Sequence, residues 1–182
     1  MSIRMTGGLG ARVVQVLEDY LPAELDLIDT EESDGITTPD IATTDYHAWD
    51  IKKIPEYPAC SLEYVTTREL EKSPYVSASR RVTDEHRIIV KFHVTKAVAA
   101  RSGVSVPEDV QALIRRYVAG GRRVLCVVYN RLQTTGDPNP FAGVEVVDFA
   151  GEATYGPEQD QADGAIAITG TLPITIRRRE TR

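Results

Sequence analysis

The residues whose types could do chemistry are three histidines, His47, His86 and His93, two cysteines, Cys60 and Cys126, and the run Gly7-Gly8-Leu9-Gly10. Imidazole moves protons near neutral pH and ligates metals, a thiolate is a nucleophile or zinc ligand, and glycines ahead of a helix can cradle phosphate. The spacing does not group them. His86 and His93 differ in parity, so on one regular strand they point to opposite faces. His86 beside Asp84 and Glu85 reads as a solvated strand entry. The cysteines lack CxxC spacing and a histidine cluster, which argues against a structural zinc; we expect two buried thiols, with a disulfide as the alternative. The glycine run has no strand before it and no lysine and hydroxyl after it, so it reads as a helix lead-in. No Gly-x-Ser-x-Gly elbow and no close cysteine–histidine pair occurs, and acidic pairs such as Glu18-Asp19 and Glu31-Glu32 fall on helix surface or loop. We therefore expect no catalytic residue, no cofactor and no metal site.

The basic residues carry a different chemistry. Arg80, Arg81, Arg87, Lys91, His93, Arg122, Arg123, Arg177, Arg178 and Arg179 stand out in a chain of 27 acidic and 21 basic residues with net charge −6. Solvation, or protection of a strand edge by charge, accounts for them on one reading. On the other they form an interface, since arginine suits ion pairs with an acidic partner or a second copy of the chain. Both readings stand. His93 beside Lys91 belongs with either, as part of an exposed or intersubunit polar face.

The elements that must position these groups centre on one strand and one helix. Asp84 to Ala97 reads as a long strand, with Ile88, Val90, Phe92 and Val94 on one parity and Arg87, Lys91, His93 and Thr95 on the other. A helical pattern then runs from Val110 to Leu132, carried by Val110, Leu113, Ile114, Tyr117, Val118, Val124, Leu125, Val128 and Leu132. Gly120-Gly121 interrupts it, and two readings remain: a kinked helix, or a helix that ends there with a strand from Val124 to Tyr129.

Around this pair we expect a short amphipathic helix from Leu9 to Tyr20 that stops before Pro22. An acidic, irregular surface loop follows over 26–50, then a strand from Tyr57-Pro58 to Val65 and a polar linker over 66–83. Thr135 to Pro140 is a turn cluster, Val144 to Phe149 a third strand, and 151–164 a second long loop. Ala165 to Arg178 is a fourth strand that Gly170 and Pro173 bend or bulge. This predicts one α+β domain over 1–182: a mainly antiparallel sheet of about four strands packed on an N-terminal helix and a longer central helix.

Composition bounds the function. The acidic balance argues against a dedicated nucleic-acid binder, whose affinity rests on neutralising phosphates. No apolar run reaches membrane-span length, and no charged start leads into one, so we expect neither a membrane anchor nor a signal peptide.

The order of elements, and the segments Tyr57-Pro58-Ala59, His86 to Thr95, Tyr117-Val118-Ala119, Val147-Asp148-Phe149 and Pro173 to Arg178, resemble the tail terminator (tail-completion) proteins of long-tailed bacteriophages. The long acidic loop and Gly120-Gly121 depart from that pattern. The resemblance implies a structural, non-enzymatic virion protein. It would form a homo-oligomeric ring, usually a hexamer, at the head-proximal end of the tail. That ring would cap the tail tube protein, end tube polymerisation and offer a surface to a head–tail connector or neck protein, with genomic DNA passing through its lumen. Another head–tail joining protein is the nearer alternative, and a small cytosolic enzyme or ligand-binding domain the more distant one.

Overall fold

A computed structural model of the chain describes residues 3–50, 54–72, 81–95, 107–128, 144–148, 155–157 and 167–181. It is an α+β domain in which two helices share a core with one face of a mixed, mainly antiparallel sheet. Helix α1 spans Ile3–Glu32, strand β1 Tyr46–His47, β2 Ala59–Lys72 and β3 Arg81–Thr95. Helix α2 spans Pro107–Arg123 and widens into a π-helical turn over Val124–Val128; β4 is Val144–Asp148, β5 Tyr155–Pro157 and β6 Ala167–Thr181. The sheet order is β1-β2-β3-β6-β4, with β5 also on β6, and only the β1–β2 pair is parallel.

The core follows the parity of β3. Ile88, Val90, Phe92 and Val94 are buried with Cys60 and Leu62 of β2 and Leu172, Ile174 and Ile176 of β6. From the helices come Val13, Leu17, Leu21 and Leu25, and Leu113, Ile114 and Tyr117.

Helix α1 does not stop before Pro22 but passes through it to Glu32, and it begins ahead of the glycines at Ile3. A helix-interior proline costs about 3 kcal/mol. Leu25 and Ile28, beyond it, are both buried, and each such side chain returns about 1.5–3 kcal/mol. The stripe outweighs the proline. At 30 residues α1 is also the longer helix, against 17 for α2.

The stretch expected as an acidic surface loop is therefore helical to Glu32, and Ser33 closes the helix in a left-handed conformation (φ 50°). Its remainder folds back. A 3₁₀ turn at Thr43–Asp45 leads into β1, and Thr38, Ile41, Asp45 and Tyr46 are buried.

Helix α2 continues through Gly120-Gly121, so the pair does not end it. Both glycines mark close approach. A Cβ on Gly120 would sit 2.9 Å from Leu21 Cδ1 of α1, and one on Gly121 would sit 2.7 Å from the Phe92 ring. The expected end at Leu132 and the turn at 135–140 lie outside the described residues, as do Phe149 and Ala165.

Strand β2 begins at Ala59, one residue past Pro58, and runs on to Lys72, so Thr66 to Lys72 is strand and not linker. Its polar side chains hid a ladder that is made by the backbone: Thr66 to Lys72 pair with Arg87 to Val82 of β3. Two bulges interrupt the ladder, leaving Val65 and Leu70 without opposite residues. On the other side β3 and β6 pair without a register break from Arg81↔Thr181 to Thr95↔Ala167, so Gly170 and Pro173 do not bulge this ladder. Pro173 falls between the β5 pairing, which ends at Gly170, and the β4 pairing, which starts at Thr175; its missing N–H costs no ladder bond on that edge. Strand β5 lies within the expected loop 151–164, whose other residues are outside the described set.

Candidate functional site

The polar face of the sheet, opposite the helices, holds a chain of hydroxyl and imidazole groups. Ser61 Oγ lies 2.9 Å from His93 Nε2, and His93 Nδ1 lies 3.0 Å from Thr169 Oγ1. The three come from β2, β3 and β6. His93, expected on an exposed or intersubunit face, is only 2% exposed, and Ser61 and Thr169 are buried with it. Strand parity put His93 on the polar side correctly. Parity carries no information about what covers that side, and that is why the exposure was misread.

A serine hydroxyl on an imidazole that is oriented through its other nitrogen is the arrangement of a nucleophile and its base. Two observations weigh against that use. Ser61 and His93 are sealed from solvent, and the orienting group is a threonine hydroxyl, which cannot stabilise an imidazolium as a carboxylate does. As a structural element the chain is complete: neutral imidazole donates once and accepts once, and each hydroxyl can take either role.

His47, opposite Ser61 in the parallel β1–β2 pair, extends the cluster to the sheet edge. Its Nε2 is buried with no hydrogen-bond partner. Burial lowers the pKa of His47 below the ordinary histidine value; Asp45 pulls it back and His93 lowers it further. His86, on the helix-side parity, meets Thr67 Oγ1 through Nδ1 at 3.0 Å and is buried, not a solvated strand entry.

The expected interface residues divide. Lys91 is an ion-paired group, 3.0 Å from Glu63 and 3.2 Å from Asp50. Arg177 and Arg68 grip the two oxygens of Glu85 at 3.1 and 2.6 Å, a transverse row across three strands. Burial pushes the Glu85 carboxyl up, and the two arginines more than reverse it, holding it below the usual range. Arg123 is tied to Glu31 at 2.6 Å. Arg87 and Arg122 face solvent. Arg81, Arg178 and Arg179 lie on the strands at the same end of the sheet, and Arg80 is outside the described residues.

The charged group that sequence reasoning missed is Arg116. It is 5% exposed, and its guanidinium bonds Asp29 at 2.6 Å, Asp34 at 2.5 Å and the Ile36 carbonyl at 2.9 Å. Asp29 also accepts the Thr38 N–H and hydroxyl, both at 2.6 Å, and Tyr117 donates its hydroxyl to the Pro39 carbonyl. The clamp binds 34–39 across both helices. The sequence held no signal for it: Arg116 flanks the apolar stripe of α2 much as the exposed Arg115 does on the other side, and only the acids that the fold brings to it set it apart.

Both cysteines are thiols; Cys60 is buried, and Cys126 only partly so. Among the described residues no three His, Cys, Asp or Glu side chains are placed to hold a metal ion, and no helix is long and apolar enough to cross a membrane. Neither a protein-family model nor a curated protein matches the chain.

Proposed function

We propose that this protein is a structural subunit of the phage virion, a tail terminator that assembles with copies of itself into a ring on the finished tail tube and presents a surface for joining the head. The observation that carries the reading is the length of the sheet strands. β2, β3 and β6 run 14, 15 and 15 residues, where globular strands average about 5–6. At roughly 3.4 Å per residue the longest extend about 50 Å, and their backbone pairing runs on past the buried residues Leu62, Ile88 and Ile176 to Lys72, Arg81 and Thr181.

The far end of this sheet is built for polar contact. The row Arg68↔Glu85↔Arg177 crosses its three long strands there as linked ion pairs. Long polar strands carried on a compact domain fit a protein whose work is contact with neighbours. The element order, helix, strands, helix, strands, supports the reading.

In this role the partners are further copies of the chain, the tail tube protein and a neck protein, with DNA moving through the lumen without specific binding. Imaging of particles made without the protein tests the reading. Overlong or heterogeneous tails are expected; tails of normal length overturn it. Recovery of the chain from filled heads and never from headless tails moves it to the neck.

A further inference from the structure

We infer that strand β1 is an acid-released latch: it stays docked on β2 while His47 is neutral, and protonation of His47 lifts Tyr46–His47 from the sheet edge and uncovers Cys60. Tyr46↔Cys60 and His47↔Ser61 are the pairings that join β1 to the sheet, whereas β2 and β3 pair along their length. Both side chains of β1 also carry a mismatch. The Tyr46 hydroxyl and His47 Nε2 are buried without a hydrogen-bond partner. An unpaired buried polar atom forfeits its hydration and regains nothing, so each weakens the hold of the strand.

The chain is pinned on either side of β1. The bonds of Arg116, Asp29 and Tyr117 fix 34–39, and Asp50 is held 3.2 Å from Lys91. A weakly held strand between two fixed points can lift while the rest of the domain stays folded.

The trigger follows from the proton count of the imidazole. As a cation it carries N–H on both nitrogens, so Nε2 becomes a buried donor without an acceptor, whichever tautomer it started from. The charged and titratable groups on the polar face around it are Asp45 in its own segment, Glu63 of β2, Lys91 and His93 of β3, and Asp50. Lys91 takes up Glu63 and Asp50, which leaves Asp45 to favour the cation against burial and His93. Burial prevails and lowers the docked pKa of His47, so the latch holds fully above the ordinary histidine value of 6.5 and loosens as the pH falls below it.

Cys60, a fully buried thiol paired with Tyr46, reports the release. The test labels the Cys126→Ser variant, in which Cys60 is the single thiol, with dithiodipyridine, a reagent that reacts in mild acid. We expect the labelling rate, taken relative to the urea-unfolded chain, to rise several-fold from about pH 7.5 to about pH 5.5, the range in which histidine titrates, while amide exchange in β3 and β6 stays slow. His47→Gln, which cannot take the proton, abolishes the rise, and Asp45→Asn, which leaves burial and His93 unopposed, enlarges it. A relative rate that does not change with pH overturns the inference, as does a rise that survives His47→Gln. A rise matched by exchange throughout β3 and β6 is global unfolding and overturns it too.

Discussion

Arg116 Nη1 donates to Asp29 Oδ1 at 2.6 Å, joining the middle of α2 to the last turns of α1, 87 residues away in the chain. The carboxylate is shared with Thr38, so one buried ion pair also holds the segment that leads to β1. Burial works against the Arg116 charge, and the hydrogen bonds that it donates to Asp34 and Asp29 more than restore it, raising its pKa.

Arg116→Met removes the cation and leaves Asp29 facing a desolvated gap. We expect a loss of about 2–3 kcal/mol, below the 3–5 typical of a broken buried pair because Asp34 is partly solvated. Urea denaturation measures it. Arg116→Lys recovers only part, since an ammonium cannot span both acids in the guanidinium's fork geometry.

The glycine pair predicts two different outcomes. Alanine in a helix interior gains roughly 1 kcal/mol over glycine, and overpacking costs about 1–3. At Gly120 the obstacle is the tip of a leucine, which can turn, so Gly120→Ala is close to neutral. At Gly121 it is the Phe92 ring, stacked on Tyr117 with centroids 6.1 Å apart, so Gly121→Ala destabilises. Adding Phe92→Leu to Gly121→Ala relieves part of that cost, which a thermal-melt double-mutant cycle reads.

Ser61→Ala takes away the Ser61 bond to His93 Nε2 and costs on the order of 1–2 kcal/mol for a buried polar group that loses a partner. Thr169→Val does the same at Nδ1. Equilibrium unfolding of both variants checks this; no loss in either would mean that the chain contributes nothing to stability.

The pH dependence has two arms. The folded pKa of His47 is lowered from 6.5, so between that value and its folded one the unfolded chain binds more protons and stability falls as the solution is acidified. His47→Gln should flatten this arm. Glu31, Asp34 and Glu85 are held below their ordinary values: Arg123 and Arg116 hydrogen bonds act on the first two, while on Glu85 the pair Arg177 and Arg68 overcomes burial. Their stabilisation is present above about pH 4 and is lost as pH falls through the lowered values. Melting temperature against pH, with and without His47, separates the arms.

Helix α1 presents Asp19, Asp26 and Glu32 to solvent. In the ring reading an acidic lumen wall repels DNA phosphates and keeps the genome sliding. Asp19→Lys, Asp26→Lys and Glu32→Lys together should slow DNA ejection if α1 lines the lumen, and unchanged ejection would remove α1 from it.

The periodic apolar patterns by themselves determined that Ile88 to Val94 line one sheet face and that Val110 to Val118 form a helix, because burial on one side imposes a period that local sequence displays. The α+β class follows from those periods. Tertiary contact alone decided the rest. Whether α1 survives Pro22 depends on what Leu25 and Ile28 meet in α2, and whether Gly120-Gly121 breaks a helix depends on how closely Leu21 and Phe92 approach. Strands β2 and β6 reach past their apolar stretches because backbone pairing with β3 does not need apolar side chains. His93 is buried and Arg116 clamped because segments distant in the chain supply Ser61, Thr169, Asp29 and Asp34. Periodicity reports which way a side chain points; what waits there is a property of the folded molecule.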